Sequence, residues 1–303
     1  MRSLNMKSGF WLLTLILSAP PLNRAADQNP EELVTRHLDS LGTAEARAAN
    51  KSRVIQGSAT FRMPVGGGSQ LEGKGAVVSE ERKLNIMMKF ASDYRGEQFI
   101  SDGDKWAVAA TTADHRRTAF GEFVKSQPLL LQEGLLGGAL STAWALANLE
   151  HNHPRLSSAG LKKVDGRQLL DLHYESKRGS DMDIHLYFDP ETYRHVLTVY
   201  SLTAASGFGG SAPSASDQVG LSTPSNNPGS DPTQSSRQRQ IRYTLEEHFS
   251  DFTTTDGLTL PSHYNIHFTE ELQNGHTAIY EWDMAAKEVS NNMTLDPRNF
   301  QVK

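Results

Sequence analysis

The segment Leu84-Asn85-Ile86-Met87-Met88-Lys89-Phe90 indicates which kind of fold this chain adopts, because apolar residues alternate along it with Asn85 and Lys89. Successive side chains of a β-strand point to opposite faces of a sheet. A period of two therefore predicts a strand with one face on a core and the other in water. Met87 interrupts the polar face, which indicates that both faces are partly covered.

The same period recurs on both sides of this segment, from Val54 to Thr111 and again from Arg155 to Val289. Short turns such as Asp102-Gly103-Asp104 and Asp165-Gly166 separate the runs, and turns of this kind join neighbouring antiparallel strands. About eleven strands in succession with short turns predict a single antiparallel sheet.

Two helical regions complete the pattern. Asn29-Pro30-Glu31-Glu32 opens the first region with a capping Asn and a Pro at the first helical position, and Gly42 closes that helix. The second region is the middle of the chain, where helices are predicted over Phe120–Gln132, with a bend at Pro128, and over Leu140–Leu149. This middle region is too apolar for a solvated connection, so we expect it to pack on the sheet.

Together these elements predict an α+β fold that is mainly β. The expected architecture is a curled antiparallel sheet, a half-open barrel of about eleven strands, with helices covering its concave face. Residues Ala204 to Gln240 break the pattern with nine Ser, five Gly and four Pro in 37 positions. They offer almost nothing to bury, which predicts a disordered insertion at 204–240 within one domain spanning residues 27–303.

The first 26 residues have the layout of an export signal: Arg2 and Lys7, an apolar run from Phe10 to Ala19, then Ala25-Ala26. The run is too short to cross a bilayer, which takes roughly 20 apolar residues. We expect cleavage near Ala25 or Ala26 and a periplasmic or secreted protein with no stable membrane insertion. An uncleaved anchor is the alternative.

Composition narrows the function classes. The 303 residues carry 30 Lys plus Arg against 35 Asp plus Glu, a net charge of −5, and include no Cys. Nucleic-acid binding relies on clustered basic side chains, so no nucleic-acid partner is expected. The lack of Cys excludes disulfides, thiolate metal ligands and a cysteine nucleophile. No serine-nucleophile motif falls in a predicted strand or helix, so we expect a protein that is not an enzyme, with no catalytic residues and no cofactor.

Four segments carry a resemblance to a known family. They are the capped helix from Glu31 to Leu41, Gly57-Ser58-Ala59-Thr60-Phe61, Phe99-Ile100-Ser101-Asp102-Gly103-Asp104-Lys105-Trp106, and Leu186-Tyr187-Phe188-Asp189-Pro190-Glu191-Thr192. This pattern resembles the periplasmic lipoprotein carrier and outer-membrane lipoprotein receptor superfamily, the LolA/LolB-like fold. The resemblance implies a concave sheet lidded by helices over a hydrophobic cavity that shelters acyl chains. No individual functional residue carries over, because the apolar middle region and the long insertion depart from the short carriers.

The apolar middle region is either plain core or a lid over such a cavity, and we expect the lid. Gly134, Gly137 and Gly138 would be its hinge, because glycine reaches backbone angles closed to other residues. The predicted ligand-binding residues that line the cavity are Leu84, Ile86, Met88, Phe90, Trp106 and Val108 on the sheet, and Phe120, Phe123, Leu130, Leu135, Leu136 and Trp144 on the lid.

Two His pairs are candidate metal ligands. His151 and His153 flank Asn152, and His263 and His267 share one face of a predicted strand. Zinc sites use closely spaced His, but eleven His in the chain produce such pairs by chance, so no metal site is predicted.

Three further motifs have ordinary explanations. Gly68–Lys74 matches the first seven positions of a phosphate-binding loop, but no magnesium-binding hydroxyl or helix follows it, so a hairpin turn is expected. Glu246-Glu247-His248 and the pair Asp181 and Asp183 are assigned to solvated faces.

The sequence therefore predicts a carrier or binding protein for a hydrophobic or acylated ligand held in a lidded cavity. One alternative is an envelope-stress sensor or protein-interaction module on the same fold, with a filled cavity and an envelope protein partner. A His-dependent metal hydrolase is the other.

Overall fold

The computed structural model describes residues 29–64, 70–91, 96–110, 117–204, 240–272 and 276–302. The predicted export signal lies outside the described residues. So do Gly68 and Ser69, the first two residues of the motif that resembles a phosphate-binding loop. So does almost all of the predicted insertion, since Ala204 ends a strand and the description resumes at Gln240.

Within the described residues, twelve antiparallel strands form one sheet, against about eleven expected. Five precede the middle region: β1 (Ser52–Arg62), β2 (Leu71–Glu80), β3 (Lys83–Phe90), β4 (Gly96–Ser101) and β5 (Trp106–Ala110). Seven follow it: β6 (Arg155–Val164), β7 (Arg167–Glu175), β8 (Asp183–Phe188), β9 (His195–Ala204), β10 (Ile241–Thr255), β11 (Leu258–Leu272) and β12 (Thr277–Asn291).

The strand order is β5-β4-β3-β2-β1-β12-β11-β10-β9-β8-β7-β6. Strands that follow one another in the chain therefore pair, except for β5 and β6, and the first strand, β1, also pairs with the last, β12. As a result β5 and β6, which are consecutive in the chain, form the two opposite edges of the sheet. The predicted fold class is confirmed, because the curled sheet does not close and helices cover one face.

The helices are short. They are α1 (Pro30–Leu41), α2 (Ala44–Ala49), α3 (Ala119–Ser126), α4 (Leu129–Gln132) and α5 (Leu149–Asn152), with 3-10 turns at Gly138–Leu140, Ala145–Asn148 and Pro297–Phe300. The predicted cap of α1 is confirmed: the Asn29 side chain accepts a hydrogen bond from the Glu31 N–H at 3.0 Å. None of the described helices combines the length and apolarity needed to cross a bilayer.

The bend predicted at Pro128 is confirmed: Phe120–Gln132 divides there into α3 and α4, because Pro128 has no N–H to continue the hydrogen-bond ladder. The second predicted helix is wrong, since Leu140–Leu149 is not an α-helix but a 3-10 turn that ends at Leu140, a second one and the start of α5. The reason is that the Ala145 N–H donates to the carbonyl of Gly134 at 3.1 Å, where an α-helix would use residue 141.

β3 shows how the sheet separates its two faces. Leu84, Ile86, Met88 and Phe90 are at most 2% exposed and face the core. Asn85 on the other face donates to the carbonyl of Asn299 at 2.6 Å, so the C-terminal turn partly covers that face, as Met87 indicated.

Candidate ligand site beneath the lid segment

Residues 118–152, called here the lid segment, connect the two edges of the sheet. They leave β5 at one edge and enter β6 at the other, so they must cross the concave face. No described residue of the lid segment belongs to a strand. Its apolar side chains join the same core cluster as the inner side chains of the sheet. The lid segment therefore covers the concave face without taking part in strand pairing.

The structure brings the predicted cavity-lining residues together. Eleven of the twelve are buried, with exposed fractions from 0% to 6%, and Trp106 is half-buried at the rim of the same cluster. They pack against one another in the closed arrangement seen here. Their role in binding a ligand stays a prediction.

Three aromatic side chains that were not among the predicted lining residues form a floor beneath α3: Tyr243, Phe268 and Trp282, called here the aromatic floor. Phe120 of α3 lies 4.8 Å from Trp282 and 5.6 Å from Phe268, measured between ring centroids. Phe123 lies 5.2 Å from Phe268 and 5.7 Å from Tyr243. The period of two in β10 to β12 carried this signal, since each of these floor residues faces inward on its strand.

The three predicted hinge glycines all adopt the left-handed region, with φ of 69° at Gly134, 81° at Gly137 and 49° at Gly138. A side chain at Gly134 would also collide with the carbonyl oxygen of Ala143. These glycines are therefore needed for the tight turns of the closed lid segment, whether or not they act as a hinge.

A buried carboxylate holds the lid segment at its centre. Glu247 of β10 is fully buried and accepts three hydrogen bonds, from the Gly137 N–H at 2.7 Å, the Tyr264 hydroxyl at 2.5 Å and the Tyr200 hydroxyl at 2.6 Å. Burial raises the pKa of Glu247, and these hydrogen bonds oppose that rise. The assignment of Glu246-Glu247-His248 to a solvated face is thus wrong for Glu247. It shares the inward face of β10 with Tyr243, Leu245 and Phe249, a pattern visible in the sequence.

A second buried carboxylate lies on the lid segment itself. Glu133 accepts a hydrogen bond from the Tyr174 hydroxyl at 2.7 Å and one from the Ser176 hydroxyl at 2.5 Å, at the end of β7. Burial raises the pKa of Tyr174, so this phenol keeps its proton and remains a donor.

Arg53 of β1 holds the next part of the lid segment. Its guanidinium donates to the carbonyl of Ala139 at 2.8 Å and lies 3.3 Å from that of Leu140. Burial lowers the pKa of Arg53 to about 10, which still leaves the side chain charged at neutral pH.

Trp144 is fixed by a buried histidine of α1. Its indole N–H donates to Nε2 of His37 at 3.0 Å, while Nδ1 of His37 lies 3.1 Å from the carbonyl of Tyr193. This pattern fits a neutral imidazole with its proton on Nδ1. Burial lowers the pKa of His37 to about 4, in agreement with that neutral form. His195 stacks on the indole with ring centroids 4.9 Å apart.

A small cavity lies where α1 and α2 meet the lid segment. Its volume is about 90 Å³, and its wall includes Leu38, Leu41, Arg53, Ala139 and Trp144. Pockets for small molecules generally have volumes of about 300–1,000 Å³. This cavity is therefore too small for an acyl chain.

The two His pairs singled out in the sequence do not converge on a common point. His151 contacts Arg82, and His153 ends α5 in a left-handed conformation. His263 pairs with Asp283 and His267 with Glu281, each on the outer face of the sheet. Among the described residues a different group has metal-ligand geometry: His173, Asp183 and His185.

Comparison with family models finds no match, and neither does comparison with curated proteins. Solved structures do match. A LolA superfamily protein from Nitrosomonas europaea is 11% identical, covers 91% of this chain and 98% of its own, and superposes with a TM-score of 0.44. A DUF1329 family protein from Desulfovibrio piger is 10% identical, with 90% and 98% covered and a TM-score of 0.46.

A third structure, described as an outer membrane lipoprotein-sorting protein domain from Vibrio parahaemolyticus, is 9% identical, with 90% and 97% covered and a TM-score of 0.42. The chain is thus similar in fold to these three structures, at identities of 9–11% and TM-scores of 0.42–0.46. At identities this low the likeness concerns the course of the chain alone, and function has to be derived from the chain's own side chains.

Proposed function

We propose that this chain is a non-enzymatic carrier or binding protein of the cell envelope. Its apolar concave face would bind a hydrophobic or acylated ligand once the lid segment has lifted. The observation that carries this proposal is topological: the lid segment connects the two edges of the sheet, and no described residue in it pairs with a strand. It can move as one piece while all twelve strands stay paired.

The size of the buried surface indicates the size of the ligand. The lid segment buries ten Phe, Leu and Trp side chains, each at most 6% exposed: Phe120, Phe123, Leu129, Leu130, Leu131, Leu135, Leu136, Leu140, Trp144 and Leu146. Burial of each contributes about 1.5–3 kcal/mol, so full displacement costs about 15–30 kcal/mol. A methylene group contributes about 0.8 kcal/mol on burial, so about 19–38 methylenes would offset that cost. A ligand with two or three acyl chains therefore fits better than a single fatty acid.

The compartment follows from the same chemistry and from the predicted export signal at residues 1–26. A multiply acylated molecule has no soluble form in the water between two membranes, because its chains aggregate or insert. A lidded apolar surface removes those chains from water during transfer.

Binding can be measured directly on the chain from residue 27 onward, purified and delipidated. Native mass spectrometry would follow titration with a triacylated lipopeptide, a diacyl phospholipid and palmitate. We expect a one-to-one complex with the lipopeptide or the phospholipid and weaker binding of palmitate. A chain that binds none of the three probes contradicts the proposal.

A variant of one lid contact tests the opening step. Tyr264→Phe removes a hydroxyl that donates to Glu247 while it leaves the aromatic floor in place. We expect faster association of the acylated probe, because the closed form loses one hydrogen bond worth about 0.5–1.5 kcal/mol. Tyr187→Phe alters a tyrosine on the outer face and should leave the rate unchanged.

The closed packing favours one other function, that of a protein-interaction module. The predicted lining residues pack on each other, and the cavity beside them holds only about 90 Å³. In that case the lid segment is permanent core and an envelope protein binds elsewhere on the surface. Crosslinking in the envelope that captures a protein partner, together with no binding of the three probes, would establish this second function.

A further inference from the structure

We propose that His173, Asp183 and His185 form a binding site for a divalent transition-metal ion on the outer face of the sheet. This site is independent of the lid segment, because it lies on the opposite side of the sheet. The chemistry expected of two imidazoles and one carboxylate is that of Zn²⁺ or a neighbouring first-row ion.

Strand register brings the three ligands together. β7 and β8 are antiparallel neighbours, and His173 lies directly opposite His185. Asp183 precedes His185 by two residues in β8, so both side chains point to the same face. No short-range sequence motif marks this group, because His173 and His185 belong to different strands.

The distances match a metal polyhedron. Oδ1 of Asp183 lies 3.1 Å from Nε2 of His173 and 3.3 Å from Nε2 of His185, and the three ligand atoms all lie within 4.8 Å of one another. Zinc ligands at about 2.0–2.1 Å in a tetrahedron are about 3.3 Å apart. The two imidazole–carboxylate distances therefore already have the spacing that zinc requires.

A buried carboxylate orients one of the ligands. Asp171 is fully buried, and its Oδ1 lies 2.7 Å from Nδ1 of His185. Its other oxygen, Oδ2, lies 2.7 Å from Nζ of Lys162. With the Nδ1 proton of His185 donated to Asp171, the lone pair of Nε2 faces Asp183. A carboxylate behind a metal-ligating histidine is the arrangement that fixes the imidazole tautomer in many metal sites.

The remaining coordination position can be reached from solvent. The Asp183 side chain is 58% exposed, and the same residue borders an open cleft of about 390 Å³ whose wall also includes Asp181, Ser201 and Arg242. Three protein ligands beside an open cleft leave a position for water or an anionic group, in contrast to a closed structural zinc site.

The other histidines of the outer face provide the comparison. His263 pairs with Asp283 at 2.6 Å, on the same face of the same sheet, with no second imidazole in the group. Among the described residues only His173, Asp183 and His185 meet as a set of three. If metal ions bound nonspecifically to any histidine of the outer face, they would therefore bind to His263 as well.

The test is isothermal titration of the metal-free mature chain with ZnCl₂, and with CoCl₂ followed by visible absorption. We expect one Zn²⁺ per chain, and a d–d spectrum of low-coordinate Co²⁺. Affinity should fall at least tenfold in His185→Ala and in Asp183→Asn, and it should not change in His263→Ala. Asp183 is exposed, so Asp183→Asn should fold normally, which circular dichroism would check.

Asp171 contacts a metal-coordinating histidine but not the metal position, so its substitution gives a second test. Asp171→Asn should lower the affinity about 10–100-fold, as loss of a carboxylate behind a ligating histidine generally does. The proposal is overturned if the wild-type chain shows no saturable binding below millimolar metal. It is also overturned if His263→Ala weakens binding as much as His185→Ala, or if Asp183→Asn leaves the affinity unchanged.

Discussion

Glu247 of β10 connects the backbone of the lid segment to the sheet through a hydrogen bond. One carboxylate accepts the backbone N–H of Gly137 and two tyrosine hydroxyls, all in the interior. When Glu247 is protonated, its own hydroxyl can donate to Tyr200, whose hydrogen then turns to the carbonyl of Leu135, 3.2 Å away. The protonated form thus keeps every group satisfied without a buried charge.

This arrangement predicts a pH dependence of stability. Since burial raises the pKa of Glu247, its folded state holds the proton more tightly than the unfolded state does. The stabilisation is fully present below the unfolded pKa of about 4.5 and is lost as the pH rises through the higher pKa of the folded state. Each pH unit that separates the two pKa values corresponds to about 1.4 kcal/mol. Glu247→Gln mimics the protonated form, so its stability relative to wild type should increase over that window.

Urea unfolding of both proteins between about pH 4 and pH 8 measures this difference. Burial lowers the pKa of His37 and of His195, which gives stability an opposite slope, but both proteins share that contribution. Glu271→Gln, at an exposed carboxylate of β11, is the control and should leave the pH profile unchanged. A constant difference between Glu247→Gln and wild type would contradict the role given to Glu247.

Trp144→Phe should destabilise the fold by about 2–4 kcal/mol. The substitution removes the donor that satisfies the buried Nε2 of His37, which costs about 1–3 kcal/mol, and it also removes apolar contact area. Trp106→Phe, at a half-buried tryptophan of the edge strand β5, should cost about 1 kcal/mol or less. Equal losses of unfolding free energy in urea for the two variants would show that the indole of Trp144 has no special anchoring role.

For single residues, some positions in the fold could be predicted from the sequence and others could not. The alternation along β10 places Glu247 on the inward face, so its burial could have been inferred, yet the adjacent charges Glu246 and His248 concealed it. The group of His173 and His185 could not have been inferred, because it depends on the register between β7 and β8.

Among the elements, the strands were predictable and the lid segment was not. Strands such as β3 follow from a local period of two and from the turns beside them. From residue 128 to residue 146 the lid segment is covered on nearly every side, so this stretch has no polar face from which a helical period could be measured. Its course is set by contacts with distant residues, such as the hydrogen bonds of Arg53 and Glu247 to its backbone groups.

Two glycines offer a matched test of how tightly the lid segment packs on the sheet. Gly137 and Gly166 have nearly the same φ, 81° and 80°, so an alanine at either position costs about 1–2 kcal/mol in backbone strain. A Cβ at Gly137 would lie 2.9 Å from Cδ1 of Ile86, whereas a Cβ at Gly166 would meet nothing within 4 Å. Gly137→Ala should therefore lose about 1–3 kcal/mol more unfolding free energy than Gly166→Ala. Equal losses in urea titrations would mean that the lid segment adjusts freely above β3.

In the molecule as a whole, different interactions stabilise the open sheet and the lid segment. Each strand is held by backbone pairing to its neighbours, and β1 with β12 ties the two ends of the chain together at the centre. The lid segment is held by burial and by a few polar side chains. Displacing the lid segment breaks no strand pairing, but it exposes the apolar side chains that the lid segment buries, so an acylated ligand would have to replace those contacts.

Amide hydrogen exchange of the mature chain, with and without the triacylated lipopeptide, tests lid opening most directly. Without ligand, we expect the amides of the lid segment to be protected, because its apolar side chains are buried in the core. With ligand bound, the Gly137 amide, which donates to Glu247 in the structure without ligand, should lose protection while the strands keep theirs. If the lid segment stays as protected as the strands with the ligand bound, the concave face does not serve as a ligand site.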